Sequence, residues 1–303
     1  MKATLYTIIA LIAFAANSLL CRMALAEGYI DPWNFTIIRL LGGAICLAII
    51  MSVHQYRLKR QSMLYEDAST SAILQDKGSW LSSISLVVYA LCFSLAYVEL
   101  DTGTGALILF AAVQLTMIGW GIYQKEQLST LQWLALLVAL AGFVYLMLPS
   151  AAVPSLFGAI IMAISGIAWG VYSVRGKTCV SPLRATGFNF IRSLVAFPIL
   201  LLAGMRYAAE INMEGILLAG VSGAITSGIG YSLWYVAMPL LKSTQAAVVQ
   251  FCVPVLAAIA GVLFLSEQLT LRFIIASVII LGAVSVFVLN KKTLKPSIQT
   301  KTV

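Results

Sequence analysis

The chain carries ten apolar runs, each close to the length that a helix needs to cross a lipid bilayer. That length is about 20 residues. The 303-residue sequence predicts spans at 4–25, 33–53, 81–99, 103–123, 130–147, 155–174, 185–204, 215–236, 244–264 and 270–290. Hydrophobic residues make up 61% of the chain and charged residues 10%, against about 25% charged in a soluble domain. The sequence therefore predicts an all-α membrane protein.

The basic residues between these spans predict the orientation of the chain. Cytoplasmic loops of membrane proteins are enriched in Lys and Arg. With a cytoplasmic N-terminus, 14 of the 19 basic residues fall on the cytoplasmic side, 3 on the outer side and 2 inside spans. We therefore expect a multi-pass protein of the cell membrane, the inner membrane in a bacterium, with both termini in the cytoplasm. We expect no nucleic-acid partner, because no basic stripe alternates with exposed aromatic residues.

Segments of the first half recur in the same order in the second half. The corresponding stretches are Phe35-Thr36-Ile37-Ile38-Arg39 with Phe188-Asn189-Phe190-Ile191-Arg192, Phe93-Ser94-Leu95-Ala96-Tyr97-Val98 with Tyr231-Ser232-Leu233-Trp234-Tyr235-Val236, and Glu126-Gln127-Leu128 with Glu267-Gln268-Leu269. Arg22, at the end of span one, corresponds to Arg175, at the end of span six. Four ordered matches in an apolar chain indicate an internal repeat.

Each half of the chain holds five spans, and an odd number inverts the second half relative to the first. We predict a first repeat at 1–150, an inverted second repeat at 151–292 and a cytoplasmic tail at 293–303. Inverted repeats of this kind build alternating-access transporters around a central site. The predicted fold is therefore two inverted five-helix repeats around a central cavity.

The second half carries a recognisable signature. It consists of Pro254-Val255-Leu256, Gly261, Ser266-Glu267-Gln268-Leu269-Thr270 and Gly282, with Ala168-Trp169-Gly170 in span six. Over residues 1–292 the chain resembles the drug/metabolite transporter superfamily, specifically the EamA-type ten-helix permeases. The resemblance implies a central cavity lined by spans one, three, four, six, eight and nine, and export of small metabolites such as amino acids. The first half departs from the pattern, with Val113 where the repeat would place the counterpart of Pro254.

Neutral amides and aromatic side chains at mid-span depth are the candidate cavity residues. Asn17, Gln114 and Gln250 can each offer donors and an acceptor to a zwitterionic or hydroxylated solute, although bonds between helices are an equal alternative. The candidate aromatic wall comprises Trp169, Tyr172 and Tyr231. We expect Trp234 and Tyr235 to serve packing, and the alternative for the whole aromatic group is a lipid-facing belt.

Three further residues are candidates for gating or structural roles. Arg39 and Arg192 lie at corresponding depths on opposite sides of the membrane, and we favour gating or structural support over direct binding of a substrate carboxylate. Pro254 lies inside span nine, where proline can break or kink a helix. Glu126 and Glu267 each precede a span, and we expect each to cap the helix that follows it.

Several classes of function are excluded by what the sequence lacks. The five cysteines are dispersed and His54 is the only histidine, so we expect no metal site and no disulfide framework. No phosphate-binding loop of the ATPase type occurs, and no nucleophile lies with a base inside the spans, so we expect neither a pump nor an enzyme, and no cofactor. No acid lies near a span centre, which leaves facilitated diffusion, exchange, or coupling through an acid at a span end such as Glu99.

The sequence thus predicts a secondary transporter that exports a small organic metabolite by alternating access. Its substrate would be an amino acid, an amino-acid-like compound or a drug-like amphiphile. The expected partners are this small molecule and membrane lipid, with the chain acting as a monomer. The alternative is a non-transporting membrane scaffold or a lipid-moving relative of the same fold.

Overall fold

The computed structural model describes residues 2–62, 75–125, 128–147, 155–268 and 270–290. Glu126 and the tail at 293–303 lie outside these residues. The described residues form ten helical segments and no β-strand, as the sequence predicts. In chain order these segments are α1 (Lys2–Ala26), α2 (Pro32–Ser62), α3 (Trp80–Ala96), α4 (Thr102–Tyr123), α5 (Thr130–Met147), α6 (Leu156–Gly176), α7 (Pro182–Ser193 and Phe197–Gly204), α8 (Met213–Val221, Ser222–Ile229 and Gly230–Ala237), α9 (Ser243–Val249 and Cys252–Leu265) and α10 (Leu271–Leu289).

The outer surface of this bundle is apolar. Seven of the described helices are long and apolar enough to cross a membrane, and α3, α5 and α10 are shorter apolar helices. Large aliphatic side chains point away from the bundle, and Ile199 and Leu263 are each 72% exposed. Contiguous apolar surface of this extent suits lipid and not water. The chain is a multi-pass membrane protein.

Side-chain caps fix where several helices begin. Ser79 precedes α3, Ser155 precedes α6 and Thr270 precedes α10, and each side chain accepts a hydrogen bond from the N–H three residues further on. Such a cap pairs one of the N–H groups that the first turn of a helix leaves free. Helix α2 continues to Ser62, beyond the predicted end of membrane span two at residue 53. The polar stretch 54–62 contains no proline or glycine that would end a helix.

The helix contacts follow the repeat: replacing each helix of a contacting pair by its counterpart in the other repeat again gives a contacting pair. Helices α3 and α4 pack on α6, and their counterparts α8 and α9 pack on α1. Helix α5 meets α10, α4 meets α9 and α2 meets α7, so each of these pairs maps onto itself. Arg22 contacts the carbonyl just after α3, whereas Arg175 lies near Ser79 at the start of α3. The two repeats are therefore inverted, and we name the two ends of the bundle the Arg22 end and the Arg175 end.

The pseudo-symmetry breaks most strongly at one pair of helices. Helix α2 packs extensively along the first two segments of α8, whereas the repeat-related contact between α7 and α3 is much smaller. The α2–α8 crossing depends on glycine, because a Cβ atom at Gly223 would overlap the backbone carbonyl of Arg39. The bundle is therefore closed between α2 and α8 and looser between α3 and α7.

Candidate functional site

A cluster of polar side chains lies at mid-depth where α2, α3 and α8 meet. Nε of Arg39 donates to Ser227 Oγ at 3.0 Å. Its Nη2 donates to the hydroxyls of Tyr89 at 3.0 Å and Tyr231 at 2.6 Å. The Tyr231 hydroxyl donates in turn to that of Tyr89 at 2.9 Å. Arg39 is only 1% exposed, so these four residues, which we name the central cluster, are shielded from solvent in this conformation.

Asn17 joins α1 to the central cluster. Its Nδ2 donates to the Tyr89 hydroxyl at 3.2 Å, and its Oδ1 accepts from Ser222 at 2.7 Å and Thr226 at 3.1 Å. Ser222 begins the middle segment of α8, Ser222–Ile229, which is a π-helix. The wider turn of a π-helix is common at functional sites. Here it lies where three hydroxyl-bearing residues of α8 face Asn17 and Arg39.

Aromatic rings surround the cluster on its α6 side. The Trp169 ring lies 4.5 Å from that of Tyr231, 5.0 Å from that of Tyr89 and 5.4 Å from that of Tyr172. Its Nε1 donates to Gln250 Oε1 at 2.9 Å, which ties α6 to α9. The lipid-facing alternative is wrong for the whole predicted aromatic group, since all five members are buried: Trp169, Tyr172, Tyr231, Trp234 and Tyr235.

A cavity of about 210 Å³ opens at the Arg175 end, and we name it the vestibule. Its lining includes Asp76, Ser82, Arg175, Asn189 and Tyr235. Tyr235, expected to serve packing, therefore borders the vestibule, while the indole of Trp234 does pack inside and donates to Ser173.

Two tyrosines separate the vestibule from the central cluster. The Tyr235 hydroxyl donates to the Tyr172 carbonyl at 2.8 Å, and their rings lie 4.9 Å apart. The Tyr172 ring then lies 6.2 Å from that of Tyr231 in the cluster. A solute that leaves the vestibule for the centre of the bundle therefore meets Tyr235 and Tyr172 first.

The vestibule offers both charge and unsatisfied hydrogen-bonding capacity. The Asp76 carboxylate already accepts from the N–H groups of Gly78, Val180 and Ser181. Asn189 accepts from the Ser79 N–H at 3.1 Å, but its buried Nδ2 has no hydrogen-bond partner among the described residues. The exposed guanidinium of Arg175 adds a positive charge at the mouth. These groups suit a small polar or anionic solute.

The Arg22 end is closed by contacts that we name the latch, made by Arg22, Tyr97, Thr102 and Glu267. Arg22 Nη1 donates to the Tyr97 carbonyl at 2.8 Å, and its Nε lies 3.5 Å from the Glu267 carboxylate. That carboxylate accepts from the Thr102 N–H at 3.0 Å and from its hydroxyl at 2.8 Å. The latch therefore joins α1, α4 and the end of α9.

The position of Glu267 corrects one prediction. It caps α4 of the other repeat and not the following helix α10, which Thr270 caps. Sequence proximity suggested the nearest helix start, but packing of α4 on α9 brings the start of α4 closer. Glu126, its repeat counterpart, lies outside the described residues, so its predicted capping role stays a prediction.

Aromatic contacts link the central cluster to the latch. The guanidinium carbon of Arg39 lies 5.0 Å from the Phe93 ring centroid. The rings of Phe93 and Tyr97 are 4.7 Å apart. Because Tyr97 corresponds to Tyr235 in the repeat, corresponding tyrosines stand at the two ends of one continuous series of side chains.

The two intramembrane arginines lie in different surroundings. Arg39 is enclosed at the centre, whereas Arg192 is partly exposed on α7, where its Nη1 donates to the Lys77 carbonyl at 2.6 Å. The Arg192 guanidinium also lies 5.4 Å from the Trp80 ring centroid. The sequence repeat places them at equivalent positions, and the closure of α2 on α8 makes them unlike.

Gln114 and Pro254 lie at a break in α9. Gln114 Nε2 donates to the Ala247 carbonyl at 3.3 Å and has no recorded bond to the central cluster. Pro254 has no N–H, so the Gln250 carbonyl accepts from Val253 at 3.0 Å instead, and α9 is interrupted between its two segments. Gln114 and Pro254 therefore both support the geometry of α9. Gln250, at the same break, also accepts a hydrogen bond from Trp169 of the aromatic wall.

Sequence reasoning missed Tyr89, Ser227 and Phe93. A usable signal existed, because the alignment that pairs Phe93 with Tyr231 also pairs Tyr89 with Ser227. Two polar side chains at corresponding positions of α3 and α8 thus meet in the central cluster.

Comparisons with known proteins agree with this architecture. Residues 156–289 match the model of the EamA-like transporter family. An uncharacterized protein of Pseudomonas aeruginosa is 42% identical over 284 residues, covering 94% of this chain and 93% of the relative. An uncharacterized transporter of Clostridium kluyveri is 23% identical over 96% of this chain and 94% of its own length. One solved crystal structure superposes with a TM-score of 0.67 at 18% identity, covering 96% of this chain and 99% of the other.

The likenesses to the two relatives and to the solved structure extend over nearly the whole chain, and the solved structure supports the helical fold. The family match falls on the second repeat, which also carries the Pro254 and Glu267 signature. With a buried polar centre and inverted repeats, the chain belongs to the EamA-like transporter family of the drug/metabolite transporter superfamily.

Proposed function

We propose that the protein is a secondary transporter that moves a small organic metabolite by alternating access, and that the structure is open at the Arg175 end. The observation that carries the proposal is the unequal state of two repeat-related ends. Arg22 and Tyr97 belong to a closed latch, while their counterparts Arg175 and Tyr235 border a cavity of about 210 Å³. Two such states, exchanged between repeats, would expose one central site alternately.

The charge distribution supports an orientation in the membrane, and with it a direction of transport. Basic residues concentrate in the connections at the Arg175 end, so we place this end and both termini in the cytoplasm of a bacterial inner-membrane protein. A vestibule that faces the cytoplasm is accessible to solute from inside the cell, which supports our proposal of an exporter. The path is contained within one chain, so a monomer would suffice.

The substrate is a small organic metabolite: an amino acid, an amino-acid-like compound or a drug-like amphiphile. The aromatic wall of Trp169, Tyr172 and Tyr231 suits an apolar or planar portion. Asn17 and Gln250 supply amide groups beside the centre, and Arg39 supplies positive charge. We assign gating to the Tyr172–Tyr235 pair and to the latch.

Efflux from proteoliposomes tests transport directly. Liposomes containing the purified protein would be loaded with radiolabelled amino acids, organic acids or amphiphilic cations, and release would be followed against protein-free liposomes. Trp169→Phe removes the indole N–H that binds Gln250, and it should slow release severalfold. Trp133→Phe is the matched control, since Trp133 is 44% exposed on the outer surface. Absence of release for every solute would contradict the proposal.

A lateral groove favours lipid movement as the second candidate. It lies between α3 and α7, holds about 340 Å³ and is lined mostly by apolar side chains such as Ile84, Val88 and Ile199. Arg192 lies at its edge, where it could meet a lipid phosphate. Transfer of a fluorescent phospholipid between leaflets, measured in the same liposomes, would favour this function if it depended on Arg192. A scaffold would support neither flux.

A further inference from the structure

The buried guanidinium of Arg39 has an incomplete set of partners. Its Nε and Nη2 donate to three hydroxyl groups, but its Nη1 is buried with no hydrogen-bond partner among the described residues. Leaving a buried donor of a charged group unpaired costs free energy. The side chain is only 1% exposed, so this nitrogen is shielded from solvent in this conformation.

The positive charge of Arg39 also lacks an acidic partner within the described part of the chain. Its contacts there are with the hydroxyls of Tyr89, Tyr231 and Ser227 and with the rings of Tyr89 and Phe93. Buried charges in proteins are normally paired with an opposite charge or bound to a ligand. Hydroxyl dipoles and ring faces compensate a cation only partly, so the cluster suits a negatively charged guest.

A purely structural arginine would have been expected to reach an interface. Arg192, the repeat counterpart, does so, since it is partly exposed and binds the Lys77 carbonyl. Arg39 lies seven residues into α2, about 10 Å from the helix start by helical rise, and Arg192 lies ten residues into α7, yet only Arg39 points into the bundle. Arg192 is thus anchored at the surface by a backbone carbonyl, whereas Arg39 is held in the interior without such a structural partner.

We propose that Arg39 binds the carboxylate of the transported solute, so that the protein is selective for organic monoanions. The proposal rests on the transport function proposed above. A guanidinium presents parallel N–H groups that match the two oxygens of a carboxylate. Nη1 is free for one oxygen, and the hydroxyl hydrogens of Tyr89 and Tyr231 can rotate toward the same anion while their oxygens continue to accept from Nη2.

The remainder of the solute would lie against aromatic rings. Phe14 packs edge-on against Trp169 and Tyr231, with ring centroids 5.1 and 5.8 Å away. The described side chains around Arg39 supply no carboxylate to pair with an ammonium group, the Asn17 Oδ1 already accepts from Ser222 and Thr226, and the positive charge of Arg39 repels a cation beside it. The site therefore favours a carboxylate with an apolar or aromatic body over a cation or a zwitterion.

A matched series of ligands tests this selectivity. Phenylacetate, phenylacetamide, phenethylamine and phenylalanine share one aromatic body and differ in charge, and benzoate, butyrate and their amides extend the series. Binding to the purified full-length protein in nanodiscs would be measured from the rise in unfolding midpoint and from tryptophan fluorescence. We expect at least one carboxylate to bind at least tenfold more tightly than its own amide, and the amine not to bind.

Variants assign the selectivity to one residue. Arg39→Gln should abolish the preference for carboxylate over amide, and Arg39→Lys should retain it with weakened affinity. Arg192→Gln is the matched control, because it removes the same charge from the counterpart position and should leave binding unchanged. Tyr231→Phe removes one hydroxyl of the site and should weaken carboxylate binding severalfold, which provides a second readout if Arg39→Gln does not fold.

The outcomes separate this inference from transport itself. Equal binding of acids and amides, no effect of any carboxylate, or loss of binding only in Arg192→Gln would overturn it. If amines or zwitterions are released and carboxylates do not inhibit that release, the proposed carboxylate selectivity is overturned while the transport function stands. Selective, Arg39-dependent carboxylate binding without flux of any solute would leave it standing and contradict the transport function.

Discussion

Glu267 joins the two repeats through a single carboxylate. It binds both the backbone N–H and the hydroxyl of Thr102, and it lies 3.5 Å from the Arg22 guanidinium. The Glu267 and Arg22 side chains are 13% and 17% exposed, so solvent screens this pair only weakly. A Cβ atom at Gly261 would overlap the same carboxylate, so the glycine leaves room for it. The carboxylate thus holds the starts and ends of three helices together.

Glu267→Gln should loosen the latch without removing its shape. The amide can still accept from the Thr102 N–H but loses the charge that strengthens both bonds, and a hydrogen bond to a charged group contributes about 1.5–3 kcal/mol. We expect backbone hydrogen exchange around residues 97–105 to speed up by about tenfold or more. Glu214→Gln, an exposed change of the same kind in the first turn of α8, should have no such effect. Equal acceleration in both variants would contradict the role of the latch.

Cys179 reports on the electrostatics of the vestibule. It lies between α6 and α7, where burial and then the nearby Asp76 carboxylate raise the pKa of its thiol to about 12. Only the thiolate reacts with alkylating reagents. At neutral pH the thiol is therefore protonated and its reaction slow.

Labelling of Cys179 should consequently rise about tenfold per pH unit from pH 7 to 9, without the plateau that an ordinary thiol with a pKa near 8.5 approaches. Asp76→Asn removes one of the two causes, lowers the pKa and should speed labelling at every pH below it. The measurement uses a membrane-impermeant maleimide on protein whose other four cysteines are replaced by serine. Thr178→Cys in a Cys179→Ser background gives an exposed neighbouring thiol for comparison. Identical pH profiles at the two positions would refute the assignment.

The two arginines show what a sequence repeat can and cannot predict at this scale. The repeat places Arg39 and Arg192 in corresponding helices, seven residues after the start of α2 and ten residues after the start of α7. It could not separate their surroundings, because these depend on which pair of helices is closed. Tyr89 was missed for a related reason, since its importance arises only when α2 brings Arg39 against it.

Helix α2 crosses α8 closely enough that side chains are excluded at the contact. A Cβ at Gly223 would overlap the Arg39 carbonyl, and a Cβ at Gly43 would lie 3.0 Å from the Gly223 carbonyl oxygen. Close approach through small residues is a usual basis for helix association in membranes. The crossing thereby fixes the backbone from which Arg39 projects.

Gly223→Ala should therefore separate the two helices. We expect a loss of about 1–3 kcal/mol in the free energy of unfolding, as overpacking usually costs, seen as a fall of several degrees in the unfolding midpoint. Gly220→Ala is the control on the same helix, because a Cβ there meets nothing within 4 Å. Its midpoint should stay the same or rise slightly, since alanine favours helix. A matching fall in both variants would mean that the crossing is not the cause.

At the level of helices, hydrophobicity was sufficient to predict how many helices there are and in what order, but not where a helix is interrupted. Apolar runs of the right length predicted ten segments because lipid requires them. Pro254 predicted a disturbance of α9, and the break lies one turn earlier, since proline leaves the carbonyl four residues before it without a donor. The π-helix of Ser222–Ile229 had no sequence signal, because its polar side chains are satisfied by Asn17 on another helix.

The whole molecule combines near-symmetry of packing with asymmetry of closure. Helices α3 and α4 pack on α6 as α8 and α9 pack on α1, so the halves are built alike. The closing contacts differ most, with α2 firmly on α8 and α7 loosely on α3. Exchanging the conformations of the two repeats would give a second state. In it α7 closes on α3, α2 leaves α8, and the Arg22 end is open.

A disulfide across the latch tests whether that second state is needed. An ideal Cβ at Gly261 lies 3.1 Å from the Thr102 Cβ, only slightly less than the 3.5–4.5 Å or so found in disulfides. In a background without the native cysteines, oxidised Thr102→Cys/Gly261→Cys should hold α4 against α9 and reduce proteoliposome flux to that of protein-free liposomes. Reduction should restore the flux of the same sample, and oxidation of either single variant should change nothing. Undiminished flux through the cross-linked protein would show that the Arg22 end need not open, and alternating access would then be the wrong description of this bundle.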